Sequence, residues 1–286
     1  MVRAFTSLMG LVCNFRFFYV ENKWGYGDMA STSKAFARSM DSYLNYIKMP
    51  WGRLFYHSAW QQIDNHCSSE EVQSILDIGC GFGITSREFA KKGYTVTGID
   101  PTPEMIVIAQ ESACKDGLNI AFRSATLQDA DVLADGYDWI FCHNVLEYLD
   151  DPKQLLMDIS KKQNENGMLS LITHNPVAKV MKKAVMNKDP MGAIDSIGNT
   201  QEYSGIIQTD ITIYTKDQLV EWLAECGYEI RSIYGIHNIY GYIVDNEIKM
   251  DEQWHVEMVE LELKLSSLSP YKDVAIFTHL IAQKTT

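Results

Sequence analysis

An apolar run that ends in three closely spaced glycines constrains the fold of this 286-residue chain more than any other feature. Val72 to Ile78 is typical of a strand, Gly79-Cys80-Gly81-Phe82-Gly83 follows it, and Thr85 to Lys92 has the pattern of a helix. Glycines at such a turn let the backbone fold tightly and approach a ligand without Cβ clashes. The segment therefore predicts a strand, a ligand-binding turn and a helix.

Strand and helix patterns alternate from residue 72 to residue 173, and they resume after residue 212. This order predicts an α/β fold with a parallel sheet that is covered by helices on both faces. The residues between, 174–212, lack clean periodicity and are expected to form an insertion that caps the carboxyl edge of the sheet. The further predicted strands are Tyr94–Ile99, Asn119–Arg123, Tyr137–Cys142, Met168–Thr173 (after a turn at Gly167), Glu229–Tyr234 and Val274–Ala282, and the further helices are Pro103–Lys115, Pro152–Lys162, Thr215–Cys226 and a late one with Trp254, Met258, Leu261 and Leu265 on one face.

The amino-terminal part of the chain divides at Met29. Residues 1–28 hold an apolar run that is too short to span a bilayer and lacks a clean cleavage site. We interpret them as a disordered extension or a start-site error, in preference to a signal peptide. Residues 33–66 show helical spacing that Pro50 interrupts, so a second helix is expected from Leu54 to His66.

Charge and cysteine content limit the classes of partner. The formal net charge is −12, which keeps a protein in solution and disfavours, without excluding, a nucleic-acid partner. Six cysteines and seven histidines are scattered, and no C-x-x-C pair or zinc spacing occurs. The sequence therefore predicts reduced thiols, a cytoplasmic location, no metal site and no membrane segment; it leaves the oligomeric state open.

An acid inside the glycine motif indicates the charge of the ligand. Asp77 stands two residues before Gly79, where a carboxylate would repel a pyrophosphate but attract a cationic group. The spacing G-x-G-x-G also differs from the G-x-G-x-x-G of dinucleotide binders, which argues against a nicotinamide-dependent oxidoreductase. Asp77 can equally order the loop by accepting backbone hydrogen bonds.

Three further segments follow the ends of predicted strands, where open α/β sheets bind ligands. Asp100 can accept hydrogen bonds from both hydroxyls of a ribose, or cap the helix that follows it. Gln128 or Asp129 can contact an adenine, with the backbone of Leu127 against the ring. His143 ends the fourth strand and can face a ligand, although a single histidine is often structural. Glu147 and Tyr148, a few residues on, are interpreted as surface and packing residues.

These segments together resemble the class I S-adenosylmethionine-dependent methyltransferases over residues 72–173. The resemblance implies a Rossmann-like fold with a seven-stranded, mostly parallel sheet, an antiparallel last strand, and S-adenosylmethionine as cofactor. One methyltransferase domain is then expected over 29–286, with amino-terminal helices (29–70), a cofactor-binding core (71–173), the cap insertion (174–212) and the carboxyl-terminal part of the sheet (213–286). The residues expected to bind the cofactor are Arg53, Asp77, Gly79, Cys80, Gly81, Gly83, Asp100, Leu127, Gln128 and His143.

A narrower resemblance extends over most of the chain after Met29. The segments that carry it are Pro50 to Leu54, Trp60 with Asp64, His143 to Tyr148, Thr173 to Asn175, and Glu257 to Leu265 with Pro270 and Tyr271. They are similar to the bacterial tRNA 5-carboxymethoxyuridine methyltransferases and their relatives, which methylate the carboxylate of a modified wobble uridine.

Two departures from that family leave the methyl acceptor open. Phe55 stands where the family has a cofactor-binding arginine, and residues 191–210 hold no Lys or Arg where a family member is strongly basic. Only the lysines 179, 182, 183 and 188 precede that stretch. The acceptor is therefore a tRNA carboxylate or a small metabolite such as an organic acid. A carboxylate needs no general base; for an acceptor that does, His143 and His174 are the candidates.

Overall fold

A computed structural model of the chain describes residues 29–67, 73–129 and 133–285. Seven strands form one sheet in the order β3-β2-β1-β4-β5-β9-β8, and β9 runs antiparallel to both of its neighbours. The predicted fold, with a mostly parallel sheet and an antiparallel last strand, is confirmed. The strands are β1 (Ser74–Ile78), β2 (Thr95–Asp100), β3 (Ala121–Ser124), β4 (Tyr137–His143), β5 (Gln163–His174), β6 (Gln201–Ser204), β7 (Thr209–Thr212), β8 (Tyr228–Ile236) and β9 (Phe277–Lys284).

Ten α-helices surround the sheet in the described residues. Two of them, α5 and α6, have the bounds that the sequence predicts. Both begin at a proline, whose missing N–H needs no partner in the first helical turn. The helices are α1 (Met29–Arg38), α2 (Met40–Lys48), α3 (Pro50–Asp64), α4 (Ile84–Lys91), α5 (Pro103–Lys115), α6 (Pro152–Lys162), α7 (Pro176–Met181), α8 (Pro190–Asp195), α9 (Lys216–Glu225) and α10 (Glu252–Leu265).

The core lies on both faces of the sheet. On one face, Ile63 of α3 and Phe89 of α4 pack against Ile75, Trp139 and Phe141 of the central strands. On the other face, leucines of α6 and α9 pack against the alternate positions of the same strands. Burial on both sides explains why the central strands are almost continuously apolar. Packing on both faces also fixes the orientation of the strands, and therefore which side chains lie at the carboxyl ends of the parallel strands.

Several local predictions differ from the structure; the last strand, for example, is Phe277–Lys284 and Val274 lies in a 3-10 turn before it. The helical pattern is interrupted at Met49 and Pro50, as expected, but Pro50 itself begins α3, so the second helix starts four residues earlier than expected. The turn expected at Gly167 lies inside β5, where pairing with β4 shifts register between Tyr137 and Trp139, as a β-bulge does. Leu261, expected on the packed face of α10, is 37% exposed, and Glu262 is buried instead.

The amino-terminal helices and the segment after β5 meet above the carboxyl edge of the sheet. Ser33 of α1 donates a hydrogen bond to the Pro101 carbonyl, and Ser39 donates to the Ile207 carbonyl at 3.0 Å. Ile207 lies in the turn between β6 and β7, which form a separate two-stranded hairpin.

Residues 1–28, which the sequence analysis interprets as an extension or a start-site error, lie outside the described residues. No helix in the described part of the chain is long and apolar enough to cross a membrane.

Candidate active site

The glycine turn after β1 needs glycine for two separate reasons. Gly79, Gly81 and Gly83 have φ of +68°, +52° and +67°, in the left-handed region that other residues rarely adopt. A Cβ at Gly79 would also lie 2.5 Å from Cγ2 of Val145, and one at Gly83 would lie 2.5 Å from Phe122. The turn is therefore packed tightly at both ends. Around Gly81 it is open, because a Cβ there would meet nothing closer than 3.8 Å.

Two buried carboxylates hold this turn. Asp77 Oδ2 accepts a hydrogen bond from the Ser86 hydroxyl at 2.5 Å. Asp100 accepts one from the Gly81 N–H at 3.0 Å and one from the Thr102 N–H at 2.8 Å. Burial raises the pKa of Asp77 to about 7, against the hydrogen bond from Ser86, and burial also raises the pKa of Asp100. Asp100 thus holds the turn through the Gly81 N–H, and Asp77 connects the end of β1 to α4 through Ser86.

The helix α2 covers the open part of the turn. The ring of Tyr43 lies 5.4 Å from that of Phe82, and its Cε1 would be 3.9 Å from a Cβ at Gly81. The Tyr43 hydroxyl is 3.1 Å from the hydroxyl of Tyr56. Burial is the main cause that raises the pKa of both phenols, so they are neutral hydrogen-bonding groups. Sequence reasoning missed Tyr43 as a neighbour of the glycine turn, because α2 is distant from it along the chain.

The segment after β3 has a buried and an exposed part. Leu127 is buried, whereas Gln128 is exposed, and Asp129 accepts hydrogen bonds from the Thr126 N–H and hydroxyl. The Ala125 N–H donates to the Asp100 carbonyl at 3.2 Å, so this loop begins beside the glycine turn. Cys80, within the glycine turn, donates its backbone N–H to the Ile99 carbonyl, so the turn is also joined to the end of β2.

His143 belongs to a buried hydrogen-bonded chain. Its Nε2 is 2.7 Å from the Ser170 hydroxyl, which is 2.8 Å from Nε2 of His279. Nδ1 of His279 is 2.6 Å from Gln62 Oε1, and Gln62 donates to the Gly235 carbonyl. Burial lowers the pKa of His143 to about 3. A histidine held neutral in this way is poorly placed to take up a proton near pH 7.

His174 and Glu147 form a pair at the carboxyl ends of β5 and β4. Oε1 of Glu147 accepts hydrogen bonds from the backbone N–H of His174 at 2.7 Å and from its Nδ1 at 3.1 Å. Glu147 is only 2% exposed, so its interpretation as a surface residue is wrong. The sequence contained one signal for it, an acid just after a strand end. Val145, which contacts Gly79, lies two residues before Glu147, so the pair is close to the glycine turn.

A cavity of about 280 Å³ lies beside His174. Its walls come from α2, α3, the end of β5, the β6–β7 hairpin and the segments that follow β8. The wall is rich in rings and contains two lysines. The side chains around it include Tyr46, Trp51, His174, Lys182, Tyr240 and Lys249.

The structure separates Arg53 from this cavity. Arg53 lines a second cleft of about 750 Å³ on the outer side of the glycine turn, with Phe82 and Trp60. Its guanidinium is 3.4 Å from the Glu252 carboxylate. Phe55, at the position of the family's arginine, is buried and packs edge-on against Phe277 at 5.0 Å between ring centroids. The sequence places an aromatic core residue there, not a charged group.

The residues around the glycine turn fit the cofactor that the resemblance implies. Asp77, Asp100 and the Asn144 side-chain oxygen are hydrogen-bond acceptors, and Asn144 Oδ1 is buried without a partner. Asn144 itself has φ of +54°, beside the contact of Val145 with Gly79. Such acceptors suit the ammonium and sulfonium groups of S-adenosylmethionine. In the described residues, no group of three or more His, Cys, Asp or Glu side chains is arranged to hold a metal ion.

Comparisons with known proteins agree with this geometry. The family model described as a methyltransferase domain matches residues 54–233. The tRNA 5-carboxymethoxyuridine methyltransferase of Escherichia coli K12 is 28% identical over 241 residues, which cover 82% of this chain and 89% of that protein. The ubiquinone biosynthesis O-methyltransferase of Haemophilus ducreyi is 28% identical over 170 residues, with 58% and 69% covered.

Solved structures show the same fold at low sequence identity. Magnesium protoporphyrin IX methyltransferase from Synechocystis PCC 6803, solved with bound SAH, has a TM-score of 0.56 and 16% identity, with 90% of this chain and 99% of that chain covered. An S-adenosylmethionine-dependent methyltransferase from Mesorhizobium loti has a TM-score of 0.51 and 16% identity, with 79% and 98% covered. The chain thus belongs to the methyltransferase domain family and is an S-adenosylmethionine-dependent methyltransferase.

Proposed function

We propose that this enzyme transfers the methyl group of S-adenosylmethionine to an oxygen atom of an acceptor bound in the cavity beside His174. One observation carries the proposal. Val145 contacts Gly79 of the glycine turn, and two residues later Glu147 holds His174, which lines the cavity. These contacts connect the cavity, through Glu147 and Val145, to the turn where the cofactor is expected to bind.

The cofactor supplies the methyl group and the sulfur leaving group, so the protein chiefly holds the reacting atoms in line. The residues proposed to bind it are those expected from the sequence, except that Arg53 has a less direct role because it is engaged by Glu252. Tyr43 joins them through its position over Gly81. Aromatic rings and the β6–β7 hairpin surround the cavity, and such walls reduce the access of water to the reacting groups.

The carboxylate of a modified tRNA wobble uridine is the first candidate acceptor. The similarity to the E. coli tRNA enzyme extends over 89% of that protein, beyond the family core. Lys48, Arg53 and Arg87 line the second cleft, where Arg53 is paired with Glu252 and Arg87 with Asp116. Basic side chains are the groups that contact phosphates, and Lys48 forms no ion pair in the described residues. A cytoplasmic location is consistent with this substrate.

The hydroxyl of a small metabolite is the second candidate, and the Glu147–His174 pair favours it. A hydroxyl acceptor loses a proton on methylation, and a histidine whose Nδ1 is held by a carboxylate has Nε2 available to accept it. A carboxylate acceptor is already ionised and needs no such group. The stretch 191–210 without Lys or Arg also suits an acceptor that is not a nucleic acid.

Mass spectrometry of tRNA nucleosides from a strain that lacks this gene, beside its parent, separates the two candidates. We expect loss of a methyl-ester uridine and accumulation of its free acid, both reversed by the wild-type gene. As a control, complementation with an Asp100→Ala variant should leave the free acid in place. An unchanged nucleoside profile would reject tRNA as the acceptor and direct the search to small oxygen acceptors.

A further inference from the structure

Lys249 is a buried lysine that has no carboxylate partner in the described part of the chain. It lies in a single 3-10 turn, Ile248–Met250, between β8 and α10 and is only 6% exposed. No carboxylate oxygen within the ranges that the structure covers comes within 4.0 Å of its ammonium. A buried cation without an opposite charge is costly, so such a residue usually has a ligand or a compensating contact.

Two aromatic rings give Lys249 part of that compensation. Its Nζ is 5.0 Å from the ring centroid of Tyr240 and 5.7 Å from that of Trp51. Cation–π contacts orient the ammonium but leave its three N–H donors free for an acceptor. Burial also lowers the pKa of Lys249, against the attraction of the Asp245 carboxylate. A bound anion would reverse this effect of burial.

The other lysine of the cavity provides an internal comparison. Lys182 is 2.6 Å from the Glu202 carboxylate, so its charge is neutralised within the protein. Lys249 lines the same cavity and has no such ion pair in the described residues. His237, which faces it, is neutral because burial lowers its pKa to about 4. Lys249 is therefore the cation of this cavity wall that no carboxylate neutralises within 4.0 Å in the part of the chain that the structure describes.

We propose that Lys249 binds an anionic group of the methyl acceptor, so that the cavity selects planar organic carboxylates over their neutral analogues. This inference rests on the proposed function, because it takes the cavity beside His174 as the acceptor site. The cavity, about 280 Å³, has room for a single substituted ring. Trp51, which is partly exposed, supplies an apolar surface for the ring, and Lys249 supplies the charge.

Calorimetric titration with benzoate and with benzamide tests the charge selection. The two probes have nearly the same shape, and only benzoate is charged. The wild-type protein should bind benzoate about tenfold or more tightly than benzamide, since a hydrogen bond to a charged group contributes at least that factor. Equal binding of the two probes, or no binding of benzoate at millimolar concentrations, would overturn the proposal without any variant.

Variants then assign the selection to Lys249. Lys249→Met should lose the preference for benzoate and keep benzamide binding, whereas Lys249→Arg should retain the preference. The double variant Lys182→Met/Glu202→Gln is the matched control, because it removes a neutral pair from the same cavity and should leave benzoate binding within about twofold. Circular dichroism confirms that each variant is folded. A preference that persists in Lys249→Met would reject this residue as the anion site.

These measurements use binding alone, so they are independent of methyl transfer. A protein that selects benzoate but methylates no oxygen acceptor would contradict the proposed function and leave the anion site intact. A protein that methylates an oxygen acceptor but binds benzoate and benzamide equally would contradict only the role of Lys249.

Discussion

Oε1 of Glu147 accepts two hydrogen bonds from His174, one from the backbone N–H at 2.7 Å and one from Nδ1 at 3.1 Å. The backbone bond fixes the position of the strand end, and the ring bond fixes the orientation of the imidazole. With Nδ1 as the donor, Nε2 is the unprotonated atom of neutral His174. The His174 side chain is 21% exposed and lines the cavity. This pair distinguishes the acceptor classes experimentally.

Replacement of His174 by Ala is expected to affect the two acceptor classes differently. For a hydroxyl acceptor, kcat should fall about 100-fold or more because the proton acceptor is lost. For a carboxylate acceptor, kcat should change only several-fold, since no proton is transferred in the step. Steady-state kinetics with each acceptor measure the difference. The control is His57→Ala, because His57 lines the second cleft and not the cavity beside His174. Equal losses of kcat for both acceptor classes would contradict a proton-accepting role of His174.

Asp77→Asn should stabilise the protein in the absence of cofactor and weaken cofactor binding. Burial raises the pKa of Asp77 from 3.8 to about 7, so ionised Asp77 opposes folding. Asn keeps an oxygen that accepts from Ser86 and carries no charge. We expect a gain in unfolding free energy on the order of 2–4 kcal/mol near pH 8, from about 1.4 kcal/mol for each unit of pKa.

The pH dependence gives this substitution a signed test. Because the pKa of Asp77 is higher in the folded chain, its contribution to stability falls as pH rises from about 4 to about 7. The advantage of Asp77→Asn should therefore be larger near pH 8 than near pH 5. Thermal unfolding at both pH values measures it, and calorimetry with S-adenosylmethionine measures affinity. A variant with unchanged stability at every pH would refute the raised pKa.

Gly79→Ala should be more damaging than Gly117→Ala, although both glycines have a positive φ. They have φ of +68° and +70°, so the backbone cost of a Cβ is similar, about 1 kcal/mol. At Gly79 the new Cβ would also lie 2.5 Å from Val145, whereas at Gly117 no atom is within 4 Å. We expect a further loss of about 1–3 kcal/mol at Gly79 and weakened cofactor binding. Equal unfolding free energies for the two variants would show that Val145 yields without cost.

Ser170→Ala should destabilise the protein by about 1–3 kcal/mol, because nitrogen atoms of both His143 and His279 lose their partner in the core. The control is Thr173→Val on the same strand. The Thr173 hydroxyl is buried without a hydrogen-bond partner, so an isosteric Val should be neutral or stabilising. Denaturant unfolding compares the two variants. Similar destabilisation by both would contradict the importance of the hydrogen-bonded chain.

The hydrogen-bonded chain of His143, Ser170 and His279 should also make the folding stability sensitive to acid. The pKa of His143 is about 3 in the folded protein and 6.5 in its ordinary state. The unfolded chain therefore takes up the proton first, so this contribution to stability is complete above about pH 6.5 and is lost as pH falls below it. His143→Gln should reduce the slope of stability against pH between about 4 and 6. An unchanged slope would indicate that His143 does not resist protonation.

Much of the fold follows from local patterns in the sequence. The bounds of α5 and α6 coincide with prediction because a proline at the first helical position and apolar spacing are both local signals. The buried strands are recognised because sheets covered on both faces require continuous apolar runs. Apolar spacing does not identify a buried position that is occupied by a polar residue. Glu262 is buried on α10 because it accepts hydrogen bonds from backbone N–H groups of Ile239 and Tyr240, which periodicity cannot reveal.

The sequence by itself determined the sheet, the glycine turn and the two acids that order it, because these depend on backbone conformation and on neighbours close in the chain. Only the tertiary structure decided that His174 is paired with Glu147, that His143 is hydrogen-bonded to Ser170, and that Lys249 lines a cavity without a carboxylate partner of its own in the described residues. Glu147 and His174 are 27 residues apart and meet because parallel strands end at one edge of the sheet. Burial and charge compensation are properties of packed elements, so no local pattern specifies them.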